Sequence, residues 1–107
     1  MMDQLQISCQ EARDMMDKQQ TTVIDIRDQD SYEQGHISGA KAINDGNIQE
    51  FIKEADKKKP VICYCYHGIS SQSAAKYFIQ QGFHKVYSLE GGYENWRCFV
   101  DSTKSEK

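Results

Sequence analysis

Short apolar runs alternate along this chain with longer stretches in which apolar residues return every three or four positions, the pattern of strands alternating with helices. Leu5-Gln6-Ile7 alternates as a first strand. Ser8 and Glu11 behind it carry the reciprocal spacing of a capping box, which predicts a helix from Cys9 to about Lys18 with Ala12, Met15 and Met16 inward. Thr22-Val23-Ile24-Asp25-Ile26, β-branched almost throughout, is the second strand. It ends in the charged cluster Arg27-Asp28-Gln29-Asp30, after which Ser31 to Gly35 fits a brief helical turn. Gly35-His36-Ile37-Ser38-Gly39 reads as a loop feeding a short third strand at Lys41-Ala42-Ile43.

Asn44-Asp45-Gly46-Asn47 supplies turn formers and a cap, and Ile48, Phe51, Ile52 and Ala55 give a second amphipathic helix. Val61-Ile62-Cys63-Tyr64-Cys65 is too short for a helix and reads as a buried strand. Beyond it Tyr66-His67-Gly68-Ile69-Ser70-Ser71 forms a tight turn with two serines able to cap. A helix over Gln72 to Gln81 follows, with Ala74, Ala75, Phe78 and Ile79 on its apolar face and Gly82 as a left-handed stop. Lys85-Val86-Tyr87-Ser88-Leu89 is the last strand, Glu90-Gly91-Gly92 a flexible turn, and Tyr93 to Phe99 a terminal helix before a polar, frayed tail from Asp101 to Lys107. Alternation of this kind, with connections long enough for crossovers, predicts an α/β fold with a parallel sheet covered on both faces. The ligand of such a sheet sits outside the carboxyl ends of its strands, where Arg27, Tyr66 and Glu90 each begin a loop.

Composition narrows the class. At 107 residues the chain is expected to be one domain over 1–107 with a modest core. A net charge of −3 argues against general affinity for nucleic acid or anionic lipid, and no apolar stretch approaches membrane-spanning length. Lys57-Lys58-Lys59 is the only basic run and reads as a solvated turn. The start, Met1-Met2-Asp3-Gln4, has neither the basic nor the apolar region of a secretory signal, so a cytoplasmic location is expected, with Cys9, Cys63, Cys65 and Cys98 as thiols. Cys63, Cys65 and His67 lack the Cys-x-x-Cys spacing of a zinc site and no second ligand pair follows, so no metal is expected.

Cys65 is the candidate for chemistry. It is the first residue of a strand, loop, helix unit whose amides, with the positive end of the following helix, can gather round an anion. A thiol in that position ionises more readily than a free cysteine. A buried cysteine ending a core strand would occupy the same place in the sequence, and position alone leaves both readings open.

Three further stretches bear on the choice. Asp25-Ile26-Arg27-Asp28 with Tyr32-Glu33-Gln34-Gly35-His36-Ile37-Ser38-Gly39-Ala40, then Cys65-Tyr66-His67-Gly68-Ile69-Ser70-Ser71, then Gly91-Gly92-Tyr93-Glu94-Asn95-Trp96 resemble, in this order, the signatures of the single-domain rhodaneses, thiosulfate sulfurtransferases of the small bacterial glycerol-operon type. The resemblance spans nearly the whole chain. It implies a three-layer αβα rhodanese-like fold with a five-stranded parallel sheet in the order 3-2-4-5-1. It also implies a ping-pong reaction in which Cys65 takes the outer sulfur of thiosulfate as a persulfide and gives it to a nucleophile, cyanide in vitro or a thiol in vivo, with no cofactor. The donor is then a small anion, thiosulfate or a persulfide, and the acceptor a thiol, such as a dithiol protein of the thioredoxin kind. Two departures stand out: Ser38 where many members have proline, and a loop whose only basic side chain is His67 where many carry a cation.

Substrate charge is therefore expected to be met by the amides from Tyr66 through His67, Gly68, Ile69 and Ser70 to Ser71, with the hydroxyls of Ser70 and Ser71. His67 either polarises a substrate oxygen or lines the rim. Asp25 and Arg27 are expected to fix the loop by pairing rather than to touch substrate, His36 to hold its own loop by hydrogen bonds, and Tyr93 and Trp96 to pack the last helix onto the sheet beside the pocket. Cys63 reads as core, Cys9 and Cys98 as small buried hydrophobes, and His84 as a surface residue. Two other functions fit the same architecture. One is a persulfide carrier that hands sulfur to a partner protein. The other is a cysteine phosphatase or arsenate reductase, against which Ser71 stands where Cys-x5-Arg chemistry needs its arginine.

Overall fold

The structure, a computed structural model, describes residues 6–105, with side chains as far as Val100. Five parallel strands, β1 (Gln6–Ile7), β2 (Thr22–Asp25), β3 (Lys41–Ala42), β4 (Val61–Tyr64) and β5 (Val86–Leu89), form one sheet in the order β1-β5-β4-β2-β3. Read from the other edge this is the order 3-2-4-5-1 that the resemblance implied. The helices are α1 (Cys9–Lys18), α2 (Gln29–Gln34), α3 (Ile48–Glu54), α4 (Ser70–Gln80) and α5 (Gly92–Ser105). Among the described residues no helix is long and apolar enough to cross a membrane.

The two faces of the sheet bury different halves of each strand, because successive side chains point to opposite sides. Ile62 and Tyr64 of β4 and Val23 of β2 join Ile7, Ala12 and Leu89 in one core, against which Met15 and Met16 of α1 and Tyr93, Trp96 and Phe99 of α5 pack. Val61 and Cys63 of β4 and Ile24 of β2 face the other way, into a core with Ile52 of α3 and Ala75 and Phe78 of α4. Buried on both sides, β4 is the central strand, and its carboxyl end opens into the loop at Cys65.

Local chemistry sets the helix ends. Ser8 accepts from the Glu11 amide at 3.0 Å while the Glu11 carboxylate accepts from the Ser8 amide, also at 3.0 Å, closing the expected capping box. At the far end of α4, Gly82 takes φ +102, its N–H donates to the Ile79 carbonyl and the Phe83 N–H reaches back to Phe78. The rings of Phe78 and Phe83 meet edge-on at 5.5 Å, the apolar contact that accompanies this glycine stop.

Several sequence expectations move. Helix α2 begins at Gln29 because Asp28 caps it, accepting from the Ser31 amide at 3.1 Å, so the helix absorbs half of the charged cluster. The buried face of α4 is Ser71, Ala75 and Phe78, and Ile79 stands exposed beside that stripe, because the stripe begins one turn earlier than its apolar residues suggest. Neither serine caps α4: Ile69 holds the cap position and both lie inside the helix. Cys98 is exposed, since two residues of helical rotation carry it to the side opposite Trp96, whereas Cys9 is buried. The terminal helix starts at Gly92 and runs to Ser105, taking in most of the expected frayed tail, while Leu5 of the expected first strand, and Glu106 and Lys107, lie outside the described residues.

Phe78 is 1% exposed and joins the core to the glycine stop, so Phe78→Ala is expected to cost about 3–5 kcal/mol, read from the midpoint of urea unfolding.

Candidate active site

The loop after β4 is shaped by backbone packed on backbone. Gly68 has φ +87, and a Cβ there would lie 2.8 Å from the Gly91 nitrogen and 3.1 Å from the Leu89 carbonyl oxygen. Gly92 has φ +64, and its Cβ would lie 2.5 Å from the Tyr66 carbonyl. Both positions require glycine twice over, for conformation and for space. The turn expected to be flexible is thus pressed against the loop. Across this contact the Tyr93 N–H donates to the Cys65 carbonyl at 2.8 Å and the Glu94 N–H to the Tyr66 carbonyl at 3.2 Å. The first turn of α5 has free N–H groups to offer and takes up the loop's carbonyls, which leaves the loop's own amides facing the other way.

Those amides converge on sulfur. The Ser71 N–H donates to Cys65 Sγ at 3.2 Å, the Ser71 hydroxyl lies 3.3 Å from it, and the His67 and Gly68 amides also point to it. Burial opposes ionisation of this thiol, but the Ser71 hydroxyl and then the amides of Ser71, Gly68 and His67 outweigh it and hold the group below the ordinary thiol range. The Ser71 hydroxyl is anchored in turn by the Ser88 hydroxyl at 2.7 Å. Expected among the groups meeting substrate, it is instead fully buried and committed to the sulfur and to Ser88. Ser70, Tyr66, His67 and Ile69 are exposed round the rim. Cys63, two residues earlier on the strand, points to the same side of the sheet, into the core with Ala75 and Phe78 of α4. Burial, with the neighbouring Cys65 adding to it, pushes this thiol up to about 12, and it donates weakly to the Ser71 and Tyr87 carbonyls at 3.4 and 3.5 Å.

Asp25 and Arg27 pair with one another rather than reach the sulfur. The Arg27 guanidinium donates to Asp25 Oδ2 at 2.7 Å, to Oδ1 at 3.1 Å and to the Gly35 carbonyl at 2.7 Å, and the Tyr64 hydroxyl donates to Asp25 Oδ2 at 2.8 Å. The guanidinium carbon lies 4.2 Å from the Tyr93 ring centre, with Tyr64 at 5.5 Å and Tyr66 at 5.8 Å. Burial works against this charge, but the hydrogen bond and charge of Asp25 more than offset it. One ion pair thereby ties the end of β2 to the entry of α5 and the underside of the active loop. The Tyr66 hydroxyl meets Ser31 Oγ at 2.9 Å and donates to the Asp28 carboxylate, fastening the loop to α2. His36 stacks on Tyr32 at 3.8 Å and bonds the Tyr32 carbonyl at 2.7 Å through Nδ1. Trp96 packs with Phe99 at 5.7 Å in the core under α5 rather than on the loop.

Sequence reasoning missed Ser88 and Tyr64. A serine in an apolar strand, flanked by Tyr87 and Leu89, was the available signal for the first; nothing local marks the second, whose hydroxyl finds Asp25 from another strand. A surface hollow of about 680 Å³ between β3 and α3 contains none of the expected site residues. The chemistry sits instead at the carboxyl end of β4, where amides and a hydroxyl meet the Cys65 sulfur and favour its anion.

The pattern described as Rhodanese-like domain matches residues 8–97. The chain is similar to the thiosulfate sulfurtransferase GlpE of Coxiella burnetii, 47% identical over 102 residues covering 95% of each chain. It is also similar to the protein of that name from Pseudomonas fluorescens, 56% identical over 80 residues, 75% of this chain and 73% of the other. In fold it is similar to a rhodanese-like domain of an Anabaena protein, TM-score 0.79 at 22% identity, covering 91% of this chain and 76% of that one.

Because the Ser71 hydroxyl is the first of the groups favouring the thiolate, Ser71→Ala is expected to raise the Cys65 pKa. Thiolate forms as pH rises through that pKa, so the iodoacetamide alkylation profile of the variant should move to higher pH than that of the wild type. Asp25→Asn leaves Arg27 buried without its counter-charge and is expected to cost about 3–5 kcal/mol in urea unfolding; restoring apolar packing with Arg27→Met in the same chain should recover part of it.

Proposed function

The chain belongs to the rhodanese-like domain family, and on that premise we propose that it is a thiosulfate sulfurtransferase working through a persulfide on Cys65. The observation that carries the mechanism is the convergence of the His67, Gly68 and Ser71 amides on Cys65 Sγ. The thiolate attacks the outer sulfur of thiosulfate. An S–S bond forms to Sγ, the S–S bond of the donor breaks, and its electron pair leaves with sulfite. The remaining Cys65 persulfide carries a negative charge that the same amides can hold. An acceptor nucleophile then attacks the outer sulfur, and the Cys65 thiolate is regenerated as leaving group. One difficult transfer becomes two easier ones, and a thiol whose pKa is lowered serves both as nucleophile and as leaving group.

The acceptor in the cell is, on this reading, a thiol, with a dithiol protein such as thioredoxin the favoured class and cyanide its laboratory substitute. The proposal extends to a cytoplasmic location, supported by Cys9, Cys63, Cys65 and Cys98 all being free thiols. The phosphatase alternative is disfavoured by the buried Ser71, bonded to Ser88 at the position where a guanidinium would have to reach the substrate anion.

Incubation with thiosulfate and no acceptor should raise the intact mass by one sulfur atom, and cyanide should remove it as thiocyanate. Cys65→Ser should do neither. A wild-type protein that never gains sulfur would overturn the proposal, and loaded protein that discharges quickly to a reduced dithiol protein but slowly to cyanide would mark it as a carrier.

A further inference from the structure

We propose that Ser88 is a positioning residue for the transfer: through the Ser71 hydroxyl it keeps a proton aimed at Cys65 Sγ, and so favours release of the stored sulfur over its capture. The inference rests on the sulfur-transfer reading above and assigns to one half of that reaction a residue that acts through another. Three groups from separate elements form a chain. Cys65 Sγ, at the end of β4, lies 3.3 Å from the Ser71 hydroxyl in the first turn of α4, and that hydroxyl lies 2.7 Å from the Ser88 hydroxyl of β5. Both serines are 0% exposed, so water cannot stand in for either hydroxyl. In the sheet Ser88 is in register with Cys63, a titratable neighbour that burial pushes up to about 12 and that therefore stays neutral.

A serine hydroxyl has one proton to give. A Cys65 thiol can give its own proton to Ser71, but a thiolate can only accept, so the Ser71 proton must then turn to the sulfur. Ser71 is left with lone pairs alone for Ser88. The 2.7 Å contact, which allows either direction, becomes a donation from Ser88. No heavy atom has to move, and the two hydroxyls reinforce one another whenever charge sits on Sγ. That holds before loading and after discharge, but not between them. In the persulfide Sγ is bonded to carbon and to sulfur, and the charge has passed to the outer sulfur. During loading Sγ supplies the electron pair of the new S–S bond and sulfite leaves with that of the old one. During discharge the acceptor bonds the outer sulfur, the bond from that sulfur to Sγ breaks, and its pair returns to Sγ. A stabilised thiolate is a weaker nucleophile and a better leaving group. The gain from Ser88 therefore falls on discharge.

The test titrates Cys65 with iodoacetamide, read by mass at that residue, and follows loading by thiosulfate and discharge to cyanide separately by intact mass. In Ser88→Ala the alkylation profile should move to higher pH. On the plateau of each profile, where the thiol is fully ionised, discharge should slow about threefold, the scale of one neutral hydrogen bond, while loading stays within about twofold of the wild type. In a chain that already carries Ser71→Ala, Ser88→Ala should move the profile no further, because its route to the sulfur is gone. Ser88→Thr keeps the hydroxyl and should keep the wild-type profile. A profile unmoved by Ser88→Ala, one moved as far by Ser88→Thr, equal slowing of loading and discharge, or a full further shift on top of Ser71→Ala would each overturn the inference while leaving sulfur transfer standing. A wild-type protein that never loads sulfur would overturn both.

Discussion

The site depends on where the carbonyls of Cys65 and Tyr66 go. A tight loop has as many carbonyls as amides, and its amides can gather round one atom only if its carbonyls find donors on the outside. The first turn of α5 supplies them, through the Tyr93 and Glu94 N–H groups. That requires two stretches of main chain to touch without side chains between them, which is why Gly68 and Gly92 face each other across the contact. A methyl group at Gly92 would push α5 away, release the carbonyls and let the amides turn from the sulfur.

Two thiols on one strand show how much this geometry decides. Cys63 and Cys65 share a chain segment and a chemistry, yet one is pushed up to about 12 and the other held below its ordinary range. Both are desolvated, which by itself raises a thiol pKa. The difference is that Cys63 is surrounded by carbonyls, to which it can only donate, whereas Cys65 is surrounded by donors that favour the anion. The inert thiol still has a use, since Cys63 closes on the Ser71 carbonyl and helps seat the residue whose hydroxyl and amide hold Cys65.

Below the loop the Asp25–Arg27 pair works as a joint. A buried ion pair is weak evidence for stability, because desolvating both charges offsets most of their attraction. Its value here is geometric. The guanidinium is planar and always charged, so it can bond Asp25 and the Gly35 carbonyl while stacking against Tyr93, and in doing so it sets the spacing between β2, α2 and α5. The loop rests on this frame through Tyr64 and Tyr66 rather than carrying the charge itself.

The alternation of β-branched runs with three-and-four-spaced helices, the capping box at Ser8 and the stop at Gly82 are local properties, written within a few residues of where they act, so the sequence alone determined the α/β class, the ends of α1 and the place of Cys65 at the end of β4. The glycines at 68 and 92 and the pair of Asp25 and Arg27 were also visible, though not what they touch. Tertiary structure alone decided that Ser71 turns inward to the sulfur and Ser88 supports it, that Ile79 and Cys98 face outward, and that Tyr64 completes the Asp25 pair. Each of these turns on which groups meet across the sheet from distant parts of the chain, and neither periodicity nor propensity carries that information.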